Sequence, residues 1–233
     1  LPDGASAADG AAATINPMTA LSMPEVMRRE GHTALVHTAA ASNLGQMLVK
    51  ICKADGVPLV NIVRREGQSA LLKDLGATYV LDSTASTFTK DLVEAVGATG
   101  ETIAFDAIGG GTLGATILDA MERVAARSMK FYSHYGSSTL KQLYIYGGLD
   151  RSPTQIARSF GLTWNVGGYL VMNALKKLGP EVATRMTTRV MRELTTTFAS
   201  HYSKRITLDQ LTEVETVRAF AQMATGEKYL IVA

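Results

Sequence analysis

The residues of this 233-residue chain that first suggest chemistry are small ones, in the run Thr38-Ala39-Ala40-Ala41-Ser42-Asn43-Leu44-Gly45. An apolar, β-branched stretch at 33–38 leads into it, and helical spacing at Leu44, Met47, Leu48 and Ile51 leads out. A tight strand-to-helix turn points backbone amides and the positive end of the helix dipole at a phosphate, provided nothing bulky intervenes. Against the G-x-G-x-x-G pattern of dinucleotide sites the positions fall on Ala40, Ser42 and Gly45. One glycine survives, and the next smallest residues hold the other two places. Ala41, Asn43 and Leu44 complete the candidate turn. An ordinary α/β turn would read similarly; its place at the first strand-helix junction favours the phosphate.

The second strand ends Asn61-Ile62-Val63-Arg64-Arg65. Sites that bind a free ribose 2′-hydroxyl place an acid there. Arg64 and Arg65 instead suit a 2′-phosphate, to which guanidinium groups donate paired hydrogen bonds. The competing reading is two solvated loop arginines. Glu66 follows and can point away. The expected cofactor is NADP(H). A methyltransferase, which would also use a small first turn, fits poorly because it too wants an acid where Arg64 stands.

These residues need a frame, and the alternation of short apolar runs with helical stretches supplies one. Strands are expected at 33–38, 57–63, 78–81, 102–105, 129–132 and 143–146, with helices at 44–54, 68–75, 88–96 and 113–126 between them. Strands joined by helices of this length make right-handed parallel crossovers. The fold class expected is therefore α/β: a doubly wound parallel sheet of about six strands with a C-terminal helical extension. That extension is read as helices at 156–160, 169–178 and 181–198. A last helix at 208–224 precedes Gly226 and a strand at 229–232 that has no evident partner in the six-stranded unit. The division expected is a lead-in helix and linker (1–32), the dinucleotide domain (33–150), the helical extension (151–205) and a return segment (206–233).

Composition narrows the alternatives. Apolar residues make up 46% and charged residues 19%, which suits a buried core. A net charge of +2 without a basic stripe argues against nucleic acid. No apolar run reaches the ~18 residues of a membrane span, and the Ala-rich start lacks the basic flank of a signal peptide. A cytoplasmic protein is the default expectation. The lone Cys52 reads as a small buried hydrophobe on a helix. His32, His37, His134 and His201 have no metal-ligand spacing, so no metal is expected.

Taken together, the sequence resembles the medium-chain dehydrogenase/reductase superfamily, and within it the zinc-independent quinone-oxidoreductase-like branch. The markers are Leu1-Pro-Asp-Gly4, Asn16-Pro17-Met18-Thr19-Ala20, the Ala-rich turn, Leu75-Gly76-Ala77, Phe105-Asp106-Ala107-Ile108-Gly109-Gly110 and Tyr135-Gly136. The likeness runs from Leu1 to about Arg151 and returns near Ile206. It implies a Rossmann-like domain that follows a separate, barrel-like catalytic domain. That domain would precede Leu1, an expectation in keeping with a chain that does not open on methionine. It further implies that the return segment packs on that domain and that the strand at 143–146 pairs across a homodimer.

The same resemblance places the nicotinamide among three loops: Ala107-Ile108-Gly109, Ser133-His134-Tyr135-Gly136 and Tyr146-Gly147-Gly148-Leu149. Ala107, Ile108, Tyr135, Gly147 and Gly148 thereby join the candidate cofactor contacts. Asp106 is expected to bond loop amides, and His134 and Tyr135 to position rather than move protons; no catalytic residue is assigned. Zinc-dependent relatives carry a cysteine just before the turn, where this chain has Ile15 and Asn16. The activity implied is hydride transfer from NADPH to a small quinone or other conjugated carbonyl. An enoyl-thioester reductase of the same superfamily is the alternative, and a non-catalytic nucleotide-binding module the alternative of another class. Residues 151–205 depart from the family pattern. They would cover the substrate cleft, enlarge a subunit interface or simply extend the fold.

Overall fold

Strands that are apolar on both faces must be covered on both faces, and most of the strands here are followed by a helix that can do it. A computed structural model describes residues 1–222 and 228–232. Among these the strands are β1 (Leu35–His37), β2 (Leu59–Val63), β3 (Tyr79–Asp82), β4 (Ile103–Asp106), β5 (Gly109–Gly111), β6 (Lys141–Ile145), β7 (Asp150–Thr154), β8 (Trp164–Gly168), β9 (Lys204–Ile206) and β10 (Tyr229–Ile231). Six of them form one parallel sheet in the order β3-β2-β1-β4-β6-β8. The chain winds outward from β1 in one direction, then crosses back to β4 and winds the other way. That reversal leaves a crevice at the carboxyl ends of β1 and β4.

Alternate side chains of β1 enter two cores. Leu35 packs with Met23, Met27, Met47, Leu48 and Ile51, from α2 (Ile15–Arg29) and α3 (Asn43–Ala54). Val36 faces the other way, onto Leu92, Val96, Ile117 and Leu118 of α5 (Phe88–Thr99) and α6 (Leu113–Arg127). Further along, α7 (Val171–Leu178) and α8 (Pro180–Arg192) extend the first core through Ala174, Met186 and Val190. A short helix at Ala7–Gly10, α4 (Glu66–Asp74) and a helix at Val214–Ala221 complete the helical elements.

Three expectations need correction. Residues 129–132 are not a strand: they lie in an exposed loop, with Phe131 85% and Tyr132 92% accessible. The place beside β4 goes instead to β6, in register Phe105↔Tyr144. Its residues Lys141 to Leu143 are buried, whereas 129–132 are interrupted by Lys130 and flanked by serines. Nor is 151–205 wholly helical. Residues 156–160 form no helix, and this stretch contributes most of β7 together with β8, which pairs with β6 as the sixth strand. The strand expected to reach across a dimer is consequently internal, and β8 holds the edge.

The last strand stays outside the six-stranded sheet, as expected, and pairs in parallel with β9. The helix expected at 208–224 begins with a short turn of 3₁₀-helix, and its end at Met223 and Ala224, with Gly226 beyond, lies outside the described residues.

Just before β4, Glu101 is buried, and among the described residues neither carboxyl oxygen has a hydrogen-bond partner. Burial pushes its pKa up to about 8. The folded chain thus holds a proton that the unfolded chain releases near pH 4.5, so stability falls as pH rises between those values. Glu101→Gln is expected to melt roughly 5 °C above the parent at alkaline pH and level with it in acid. Thermal melts that stay parallel across that range would refute the assignment.

Candidate functional site

The crevice is floored by the turn from β1 into α3. Ala39 takes φ 49°, the only non-glycine residue with positive φ among those described, and so reverses the chain within one residue. The Ala40 amide then donates to the Ile62 carbonyl (3.1 Å), tying the turn to β2. Ser42 caps α3 by accepting from the Gly45 amide at 3.1 Å. A Cβ added at Gly45 would sit 2.1 Å from the Ala40 carbonyl oxygen. Helix and turn are therefore in direct backbone contact, and the surviving glycine is required for that approach rather than for an unusual φ.

Above the turn lies a cleft of about 930 Å³. Of the residues selected from sequence it brings together Ala41, Ser42, Asn43, Arg64 and Ile108. Ala40, Leu44 and Gly45 are buried beneath, where they shape the turn. Arg65 does not line the cleft. It is the N-cap residue of α4, with extended backbone (φ −150°, ψ 142°). Ala107 is buried behind Ile108.

Tyr135 is misplaced by the sequence reading. With no strand at 129–132, its loop leads from α6 into the start of β6 and lies at the amino ends of the strands, away from the crevice. There the Tyr135 ring lies tilted against that of His134, with centroids 3.9 Å apart. Gly147 and Gly148 do follow a strand of the sheet, at its carboxyl end. A Cβ on Gly147 would lie 2.6 Å from the Ala107 carbonyl oxygen, so the loops after β4 and β6 touch. Neither glycine lines the cleft; Leu149, Asp150 and Arg151 do. Gly147 faces a smaller pocket of about 440 Å³ with Tyr146, Tyr169 and Asn173.

Two buried groups hold these loops. Asp106 accepts from Thr38 Oγ1 (2.6 Å) and from the amides of Ile108 (2.9 Å) and Gly109 (3.1 Å), the amide-bonding role expected of it. His37 meets the Tyr146 hydroxyl at 2.6 Å. Burial pushes the His37 pKa down to about 3 and drives that of Tyr146 up, so neither ring exchanges protons near neutrality. The pair anchors the loop after β6.

Sequence reasoning also missed the wall contributed from far along the chain. His201 and Lys228 line the cleft. The Ser200 hydroxyl accepts from Asn43 Nδ2 (3.0 Å) and from Lys228 Nζ (3.1 Å), which fastens this segment to the turn. Burial lowers the Lys228 pKa. Among the described lining residues stand three cations and one carboxylate, Asp150, a balance that suits an anion. Cys52 is buried in α3, where desolvation pushes its thiol up to about 12. Among the described residues no three potential ligands gather to hold a metal.

Residues 44–126 match the model of a family described as zinc-binding dehydrogenase. In solved structures the chain is similar to a protein assigned as an NADPH:quinone reductase from Mesorhizobium loti, with 26% identity and a TM-score of 0.80 over all of this chain. It spans 62% of the length of that protein. An enoyl thioester reductase from Candida tropicalis, in mutant form, matches with a TM-score of 0.67 at 19% identity, over all of this chain and 63% of its own. A mycobacterial protein complexed with NADPH does so with a TM-score of 0.68 at 15% identity, over all of this chain and 66% of its own. At such identities these last two likenesses concern the fold.

Proposed function

We propose that the chain, similar to proteins of the medium-chain dehydrogenase/reductase superfamily, is the cofactor-binding portion of a zinc-independent oxidoreductase that uses NADPH to reduce a quinone or other conjugated carbonyl. The observation that carries this reading is the bare turn, where backbone meets backbone at Gly45 and Ala40 directly under the cleft. A side chain at Gly45 would push the helix off the turn that floors the cleft, and the cleft itself is lined there by Ala41, Ser42 and Asn43, so the residues present fit a dinucleotide diphosphate. NADP(H), when bound, supplies a hydride.

The chain's own residues do the holding. The free amides at the start of α3 face the diphosphate, and Arg64 meets the 2′-phosphate on the rim. Ile108 bounds the opposite wall, on a loop that Asp106 keeps in place. Catalysis at this level is positioning: a fixed cofactor face, set against an acceptor, lowers the entropy cost of reaction. A homodimer formed through the open edge of β8 is part of the same reading.

Calorimetry with NADPH and NADH tests it. Arg64→Asp is expected to weaken NADPH about tenfold to a hundredfold and to leave NADH nearly unchanged. Equal losses for both nucleotides would refute the 2′-phosphate contact. An enoyl-thioester acceptor is the second reading, favoured by Asn16-Pro17-x-Thr19-Ala20 and by the fold shared with the Candida tropicalis reductase. Comparing turnover of enones with enoyl thioesters separates the two.

A further inference from the structure

The run Gly109-Gly110-Gly111 has no part in the turn that carries the functional reading, yet its geometry is demanding. It forms β5, against which β7 lies in parallel, pairing Gly109 with Asp150 and Gly111 with Thr154 across an irregular register. A Cβ at Gly110 would fall 2.6 Å from the Ser152 carbonyl oxygen and 2.8 Å from that of Asp150. Both partners are backbone, so no side-chain rotation relieves the clash. The ribbon is further fixed by Asp150 N to Ile108 O (2.9 Å), Thr154 Oγ1 to Gly109 O (2.7 Å) and Gln155 N to Gly111 O (2.9 Å). The glycines therefore let β7 lie over the exit of β4, which brings Asp150 and Arg151 to the cleft.

A ribose 2′-phosphate is doubly charged for much of the neutral range and is best met by more than one guanidinium. Sequence offers Arg65 as the partner of Arg64, but Arg65 caps α4 and does not line the cleft. Arg151 does line it, on a different element. The two walls are electrostatically in touch: the Ser152 amide and hydroxyl hold the Asp150 carboxyl low, and the charge of Arg64 adds to the effect.

We infer that Arg151 is the second cation of the phosphate site, so that β2 and the glycine-supported β7 grip the 2′-phosphate from opposite walls. This rests on the dinucleotide reading above. It makes cofactor preference depend on a strand that the usual second-strand position does not include.

The test is calorimetry on the full chain with NADPH, NADH, 2′-phospho-AMP and AMP. Arg151→Ala is expected to weaken NADPH and 2′-phospho-AMP about tenfold while NADH and AMP hold steady. Arg151→Lys should recover part of the loss, since it restores the charge without the fork. If Arg64→Ala abolishes the NADPH preference and Arg151→Ala leaves it intact, the second cation is refuted and the functional reading stands. If Arg151→Ala weakens all four ligands alike, the residue serves the cleft generally and the inference fails. If the unaltered chain binds no dinucleotide, both readings fall together.

Discussion

Gly45→Ala is expected to abolish NADPH binding and to destabilise the chain by roughly 2–3 kcal/mol, although alanine is intrinsically the better helix former by about 1 kcal/mol. The added methyl would meet Ala40 at its carbonyl oxygen, carbonyl carbon and Cα, at 2.1, 2.6 and 2.8 Å. None of these atoms can rotate aside. The Ala40 amide is bonded to Ile62, so relief requires lifting the turn from β2 or shifting the whole first turn of α3. Either movement turns the helix amides away from the proposed diphosphate position. Denaturant unfolding and calorimetry check the two halves separately. A variant as stable as its parent that still binds NADPH would show that the approach of helix to turn has been misjudged.

Breaking the buried ion pair at the opposite end of the sheet is expected to cost more, about 3–5 kcal/mol. Lys141 is fully buried and donates to Glu122, to Ser137 Oγ (3.2 Å) and to the Thr139 carbonyl (3.0 Å). Glu122 also accepts from the Ser137 amide (2.7 Å) and hydroxyl (2.6 Å). Glu122→Ala strands a buried ammonium without its counter-charge. Replacing both partners with apolar residues of similar size should recover much of the loss, because the desolvation penalty disappears with the charges. Chemical denaturation of the single and double variants decides it. Equal destabilisation in both would mean that packing, not charge, is at stake. The effect on NADPH affinity should be small, since this network lies at the amino ends of the strands.

What could be read from the sequence follows from how local each signal is. The turn, the helix behind it and the apolar strands β1, β2 and β4 announce themselves through small residues, helical spacing and continuous runs, and the sheet they form is the expected one. The amide-bonding role of Asp106 was legible because an acid at a strand exit faces free backbone donors. Beyond α6 the signals mislead. Residues 129–132 look strand-like because Phe131 and Tyr132 favour strands, but their side chains lie in solvent. In β8 two glycines and Asn165 mask a real strand. The strand assigned at 129–132, where none forms, moved Tyr135 to the wrong end of the sheet. Arg151, His201 and Lys228 were invisible for a different reason. They reach the cleft through pairing and chain return, which no local pattern encodes.

The hydroxyl of Ser200 has a consequence of its own. It has two lone pairs, and a donor from the turn occupies one while a donor from near the end of the described chain occupies the other. That single oxygen is thus saturated as an acceptor and works as a junction between distant stretches. Pulling the tail away would strip a partner from Lys228, leave a half-filled site facing Asn43, and loosen the floor of the crevice from a position remote in sequence. Mechanical or proteolytic disturbance of the tail should therefore register at the turn before it registers in the sheet.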